Sequence, residues 1–183
     1  YQPMLLSSGA SVAAAFGARA LFEADMLVRV SDARINQAKT AEQVLQYIDQ
    51  VIPAIELPDL MVEAPGKLNG AGLAAINVAG RYFVAGTPIA VQRTPQFLDA
   101  LANMKVLLLG DWQLLDTGHG RDVLEHPLNA VVWLAQDLKK QGLALSKGDL
   151  VSVGSFSKLL PPKAGLKVQA QYQGLPGNPT VSV

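Results

Sequence analysis

The stretch Phe22-Glu-Ala-Asp-Met-Leu-Val-Arg-Val30 constrains the fold of this chain more than any other. Phe22, Ala24, Met26, Val28 and Val30 fall on one side of a period-two pattern, and Glu23, Asp25, Leu27 and Arg29 fall on the other. Alternation of this kind predicts a strand with one apolar face. It also has a chemical consequence, because Glu23 and Asp25 then project from the same side of a sheet, about 7 Å apart along the strand.

The other elements follow from caps and breaks. Thr40-Ala-Glu-Gln43 has the form of a capping box, and Val44, Leu45, Ile48 and Val51 recur behind it at helical spacing, predicting a helix over 41–50 that Pro53 ends. Ala54-Ile-Glu-Leu57 reads as a short strand stopped by Pro58, and it carries a third carboxylate, Glu56. Residues 61–80, rich in Gly, Ala and Asn, read as an irregular loop. Tyr82-Phe-Val-Ala85 is strand-like, and Thr94-Pro95 opens a short helix through Phe97, Leu98 and Leu101. Residues 106–109 and 113–116 flank Gly110-Asp111-Trp112 and predict a hairpin. A helix is predicted over 127–141, with Val131, Val132, Leu134, Ala135 and Leu138 on its apolar face. Strands are expected near 150–154 and 166–172, with a last one at 181–183. Trp112 and Trp133 read as core residues of the hairpin and the last helix.

At 183 residues the chain has the length of one domain, and short strands with about three helices make it a β-rich α+β fold. Apolar residues at 50% and charged ones at 16% exclude intrinsic disorder. Fifteen basic against fifteen acidic residues leave no net charge to attract nucleic acid or an anionic membrane. The absence of cysteine excludes disulfides, thiolate zinc sites and cysteine nucleophiles. No apolar run is long enough to suggest a membrane-spanning helix.

Glu23 and Asp25, with Glu56 from a second strand, could supply three oxygen ligands to a hard divalent cation such as Mg²⁺ or Mn²⁺. They could equally be three unrelated surface acids, and spacing alone leaves both readings open. The histidines do not favour a zinc site: His119 and His126 are placed far from any metal-ligand spacing. His126, before Pro127, reads as a helix-entry residue bonded to backbone, and His119 as part of a surface loop. Ser155 lacks the G-x-S-x-G elbow of a serine nucleophile. Lys67 reads as a solvated loop lysine, with an approach to a substrate carboxylate as the alternative.

The order of several motifs narrows the choice. His126-Pro-Leu-Asn-Ala-Val-Val-Trp-Leu-Ala135, then Gly142, Gly148-Asp-Leu-Val-Ser-Val-Gly-Ser155, Pro161 and Gly165, resemble the C-terminal half of the 2-hydroxypentadienoate hydratases. These are grouped with the 4-oxalocrotonate decarboxylases in the fumarylacetoacetate hydrolase superfamily. Phe22-Glu-Ala-Asp25 is similar to that family's acidic E-x-E strand, Val51-Ile-Pro-Ala-Ile-Glu-Leu-Pro-Asp59 to its segment with a proline, an alanine and a glutamate, and 77–86 to the stretch beginning at its Asp-Asn pair.

The resemblance implies a β-rich, mixed and highly curved β-roll of the superfamily's C-terminal-domain type. It implies a Mg²⁺ or Mn²⁺ ion held by Glu23, Asp25 and Glu56, with Asn77, Ser155 and Lys67 as substrate-binding candidates; Asn77 could instead order its loop. The ion would chelate the carboxylate and adjacent oxygen of a small 2-oxo or 2-hydroxydienoic acid and stabilise an enolate. Hydration and decarboxylation share that logic, so the implied activity is a metal-dependent lyase of either type. Two alternatives remain: a diverged non-catalytic member that binds a small carboxylate or a partner, and an acylpyruvate-type C–C hydrolase. There are departures from the family pattern. Asp25 stands for its second Glu, Ile76 for its Asp, and Ala79 near its Ser. Its upstream lysine, the expected catalytic residue, has no counterpart ahead of Glu23. The sequence is therefore expected to be a single domain over 1–183 lacking the family's N-terminal portion, or a diverged member that does without it. A homo-oligomer in the cytoplasm is the expected setting, with export after removal of an N-terminal signal as the alternative.

Overall fold

The computed structural model describes residues 4–63 and 65–183, so Tyr1 at the start and Ala64 in the expected loop lie outside it. A short strand, β1 (Leu5–Ser7), precedes β2 (Glu23–Val30), which realises the alternating stretch. Thr40 caps α1 (Ala41–Gln46), its hydroxyl accepting from the Gln43 N–H, while the Gln43 side chain accepts from the Lys39 N–H at 2.7 Å. The helix is shorter than its spacing predicts, because Ile48 already begins β3 (Ile48–Leu57).

The strand β3 runs straight through Pro53, where the sequence suggested a break. Pro53 survives there because it falls in a gap of the neighbouring ladder. Residues 54–57 pair with β4 (Tyr82–Ala85), and residues 50 and 51 pair with β5 (Ile89–Ala90). Between them only the Pro53 carbonyl is used, accepting from the Gly86 N–H at 2.8 Å, so the missing proline N–H costs no ladder bond on that side.

Within 61–80, expected to be irregular, lies α2 (Gly70–Ala75), capped by the Asn69 side chain and burying no side chain. It brings the α-helices to four where about three were expected. The rest follows the sequence closely. Thr94 caps α3 (Pro95–Asn103). A hairpin joins β6 (Lys105–Gly110) to β7 (Gln113–His119) through Asp111 and Trp112, both at positive φ, as a two-residue turn of this hand requires. Then come α4 (Leu128–Lys140), β8 (Leu150–Ser152), β9 (Val168–Gln173) and β10 (Thr180–Ser182).

The expected roll is not formed. The strands make two open sheets, one ordered β1-β4-β3-β2-β8 with β5 beside β3, the other β10-β9-β6-β7. Closing a sheet requires its two edges to pair with each other. Here three of the four edge strands, β1, β8 and β10, are only 3 residues long and carry no ladder onward. The core lies between the sheets. Ala24, Met26 and Val28 of β2 meet Val106 and Leu108 of β6 and Ala170 and Tyr172 of β9, with the helices adding Val44, Leu101 and Val131. The two tryptophans do not join it. Trp112 is 71% exposed at the hairpin tip, and Trp133 is 61% exposed because it lies off the stripe of α4 that buries Leu128, Val131, Val132 and Ala135.

Candidate active site

The antiparallel register of β2 and β3 sets Glu23 opposite Glu56 and Asp25 opposite Ala54. Side chains directly opposite share a face, so all three acids stand on the side of the sheet away from the main core. The same face continues into a small apolar strip of Leu27, Ile52 and Ala54, with Phe83 and Ala85 packed against it. Phe22 and Leu57, which flank the acids in sequence, point the other way and line a separate cavity of about 380 Å³ with the 9–14 loop. Neither that cavity nor one of about 210 Å³ near Trp112 and Gln169 is lined by any of the three acids.

Asp25 is completely buried, and both its oxygens are engaged. The Met26 N–H donates to Oδ1 at 2.5 Å and the Ser152 hydroxyl to Oδ2 at 2.6 Å. Its backbone is held as well, since the Tyr172 hydroxyl reaches from β9 to the carbonyls of Asp25, at 2.5 Å, and Ala54, at 2.6 Å. Glu23 and Glu56 are half-buried. Among the described residues none of the ion pairs includes any of these acids. The electrostatic result is the one expected of crowded acids without a cation. Burial pushes the Glu56 carboxyl up to about 9, helped by the charges of Asp25 and Glu23. Burial raises Asp25 to about 6 against the opposing Ser152 and Met26 donors, and it raises Glu23 against the nearby Ser155 hydroxyl. Without a cation, then, Glu56 keeps its proton at neutral pH and is within hydrogen-bonding reach of the other two.

The donor set suits a hard divalent cation: carboxylate oxygens, a cluster of negative charge, and no basic side chain to neutralise it. Its arrangement is not a finished cage, however. Among the described residues no group of three or more His, Asp or Glu is arranged to hold a metal ion. Asp25 is bonded to Ser152 and Met26, and Glu23 and Glu56 stand opposite each other across β2 and β3.

The other expected residues are distributed differently. Ser155 lies beside Glu23, its hydroxyl donating to the Ser157 carbonyl at 2.6 Å. Lys67 and Asn77 are both exposed. Asn77, Val78 and Ala79 all have positive φ, a costly backbone for a β-branched valine, and the Ala79 carbonyl accepts from the buried Asp59 N–H at 2.8 Å. Asp59 is itself structural, accepting from the Arg19 N–H at 2.7 Å and closing tightly over Gly17. His126 is a helix-entry residue, with Nδ1 accepting from the Leu128 N–H and Nε2 placed on the Leu98 carbonyl. His119 is exposed and sits by Asp122. Sequence reasoning missed Ser152 and the Tyr172 hydroxyl. Only the pairing of β8 with β2 and the packing of the second sheet bring them to Asp25.

No family model matches the chain. It is 31% identical over 137 residues to a 2-keto-4-pentenoate hydratase of Paraburkholderia xenovorans (strain LB400), a match covering 74% of this chain and 49% of that protein. It is 29% identical over 133 residues to a 4-oxalocrotonate decarboxylase of Pseudomonas sp. (strain CF600), covering 73% of this chain and 48% of that one. The chain thus spans about half the length of these curated relatives. Among solved structures, the 4-oxalocrotonate decarboxylase of Pseudomonas putida G7, complexed with magnesium and adipate, superposes with a TM-score of 0.85 at 23% identity, over 99% of this chain and 66% of that one. In sequence and in fold, the chain matches the 2-hydroxypentadienoate hydratase and 4-oxalocrotonate decarboxylase family of the fumarylacetoacetate hydrolase superfamily.

Proposed function

We propose that the chain acts as a metal-dependent lyase, a hydratase or decarboxylase, on a small 2-oxo or 2-hydroxydienoic acid. The observation that carries this reading is that the register of β2 and β3 sets three carboxylates on one sheet face, with no ion-pair partner among the described residues. The relatives named above work on small oxo-acids, and one of them was solved with magnesium.

In this reading Glu23, Asp25 and Glu56 would present oxygens to a Mg²⁺ or Mn²⁺ ion from adjacent strands, with Asp25 oriented by Ser152 and the Met26 N–H. The ion would supply Lewis acidity toward a carboxylate and its neighbouring oxygen. Ser155 offers a hydroxyl at the Glu23 end of the site. Phe83, opposite Glu56 across the next strand pair, borders it with apolar surface suited to the hydrocarbon part of a dienoic acid. Lys67 and Asn77, both exposed, are the other substrate-binding candidates of this reading. The hydrolase alternative would want a histidine beside the acids, and it loses ground because His126 is bonded to backbone at the start of α4. The non-catalytic alternative draws on Ile76 and Ala79, which stand where the family has polar side chains.

A spectrophotometric assay with 2-hydroxypentadienoate and Mn²⁺ tests the reading. Turnover that needs the ion and vanishes in Glu56→Gln is the expected result. Stoichiometric Mn²⁺ binding without turnover would favour the carboxylate-binding alternative. A cytoplasmic homo-oligomer completes the proposal, the exposed Trp112, Leu114 and Trp133 being available for contacts between copies. Light scattering should give a mass at least twice the 19.4 kDa of one chain, and a monomer would count against it.

A further inference from the structure

Asp25 is the acid that departs from the family pattern, and the structure gives it an unusual degree of local support. Ser152, in β8, pairs with Leu27 of β2 and so stands on the face that carries the acids. Its residue is exposed, whereas Asp25 beneath it has no exposed surface. The Ser152 oxygen accepts from the Gly154 N–H at 3.2 Å and donates to Asp25 Oδ2 at 2.6 Å. Gly154, at φ +101°, makes the turn that aims that N–H, and a side chain there would be strained. With one hydroxyl proton, one fixed acceptor and one fixed donor to its own oxygen, Ser152 has its orientation determined. The other Asp25 oxygen takes the Met26 N–H, so the carboxylate is oriented from both ends before any ligand arrives.

We propose that Ser152 is a positioning residue of the acidic site: its hydroxyl fixes one oxygen of the Asp25 carboxylate and so sets how that carboxylate stands beside Glu56 on the face that would hold a divalent cation. The inference rests on the metal-dependent reading above and specifies how one of its three acids works. Without the Ser152 hydrogen bond the Asp25 carboxylate, held then by the Met26 N–H alone, would be free to turn about its own side chain. Ser152 fixes its orientation.

The test is calorimetric titration of Mn²⁺ into the wild-type protein, Ser152→Ala, Ser152→Thr and Glu56→Gln, with the electron paramagnetic resonance spectrum of the bound ion recorded for each. Removing a group that orients a metal-site carboxylate typically costs about 10- to 100-fold in affinity. Ser152→Ala should show a loss in that range and an altered spectrum, and Ser152→Thr, which keeps the hydroxyl, should restore both. Thermal unfolding without Mn²⁺ separates this from a folding defect, and the threonine variant carries the test if the alanine variant is unstable. Unchanged or tighter binding in Ser152→Ala overturns the proposal, as does a loss that threonine fails to restore. If Glu56→Gln abolishes binding while Ser152→Ala does not, the metal reading stands and only the role of Ser152 falls. If the wild-type protein binds no Mn²⁺, both fall.

Discussion

Tyr172 shows how much one side chain contributes to the site without belonging to it. It is fully buried, its ring packs edge-on against Phe156 at 6.4 Å, and its hydroxyl serves two carbonyls, of Asp25 and Ala54, on the two strands that carry the acids. Burial drives its own ionisation far above the ordinary phenol range, so it remains a neutral donor. Phenylalanine in its place would keep the packing and remove the one hydroxyl proton that these two carbonyls share in addition to their ladder bonds. A hydrogen bond of this kind contributes about 0.5–1.5 kcal/mol net. Tyr172→Phe should therefore lower unfolding free energy by about that amount in a urea titration, with an unchanged denaturant slope because the core keeps its shape. A stability equal to wild type would show that the hydroxyl adds nothing to what the ladder already supplies.

At the scale of elements, what the sequence made legible was local. Thr40 and Thr94 cap helices where a hydroxyl precedes apolar spacing, and the turn at Asp111 and Trp112 joins two strands as its flanks suggest. Period-two alternation likewise assigned Glu23 and Asp25 to one face of β2. The misses share a physical cause, since each depended on a neighbour distant in sequence. Pro53 reads as a breaker until β4 and β5 are seen to leave a gap beside it. The helix α2 has no buried face to write a periodic pattern, so only its Asn69 cap betrays it. The exposure of Trp112 and Trp133 depends on which surfaces the two sheets and α4 leave uncovered. Roll closure failed for the same reason, because it is a property of edge strands meeting each other and no local pattern encodes it. Within the site, the pairing of Glu23 with Glu56 is a matter of register between two strands, and Ser152 enters only through a third. The acids were visible as residues; their mutual geometry was not.

For the whole molecule, the cluster of acids links stability to pH in a direction opposite to that of most carboxylates. Asp25 and Glu56 are raised in the folded state, to about 6 and about 9, above their unfolded values. Between the unfolded and folded values the native protein holds more protons than the unfolded chain, so stability falls as pH rises. The contribution is fully present below the unfolded carboxylate range and is lost as pH climbs through about 6 for Asp25 and then about 9 for Glu56. His126 runs the other way: burial lowers it beneath 6.5, so its contribution is present above that value and fades as pH drops. A cation bound by the ionised acids would replace the protons and remove the first dependence. Melting temperatures in a chelating buffer should therefore decline steadily between roughly pH 6 and pH 9, and saturating Mn²⁺ should flatten that decline, most strongly at the alkaline end. Glu56→Gln, which cannot ionise, should also flatten the metal-free decline but gain nothing from Mn²⁺. A metal-free protein whose stability rises over this range would mean that the three acids do not repel one another, and the electrostatic argument for a divalent ion would lose its basis.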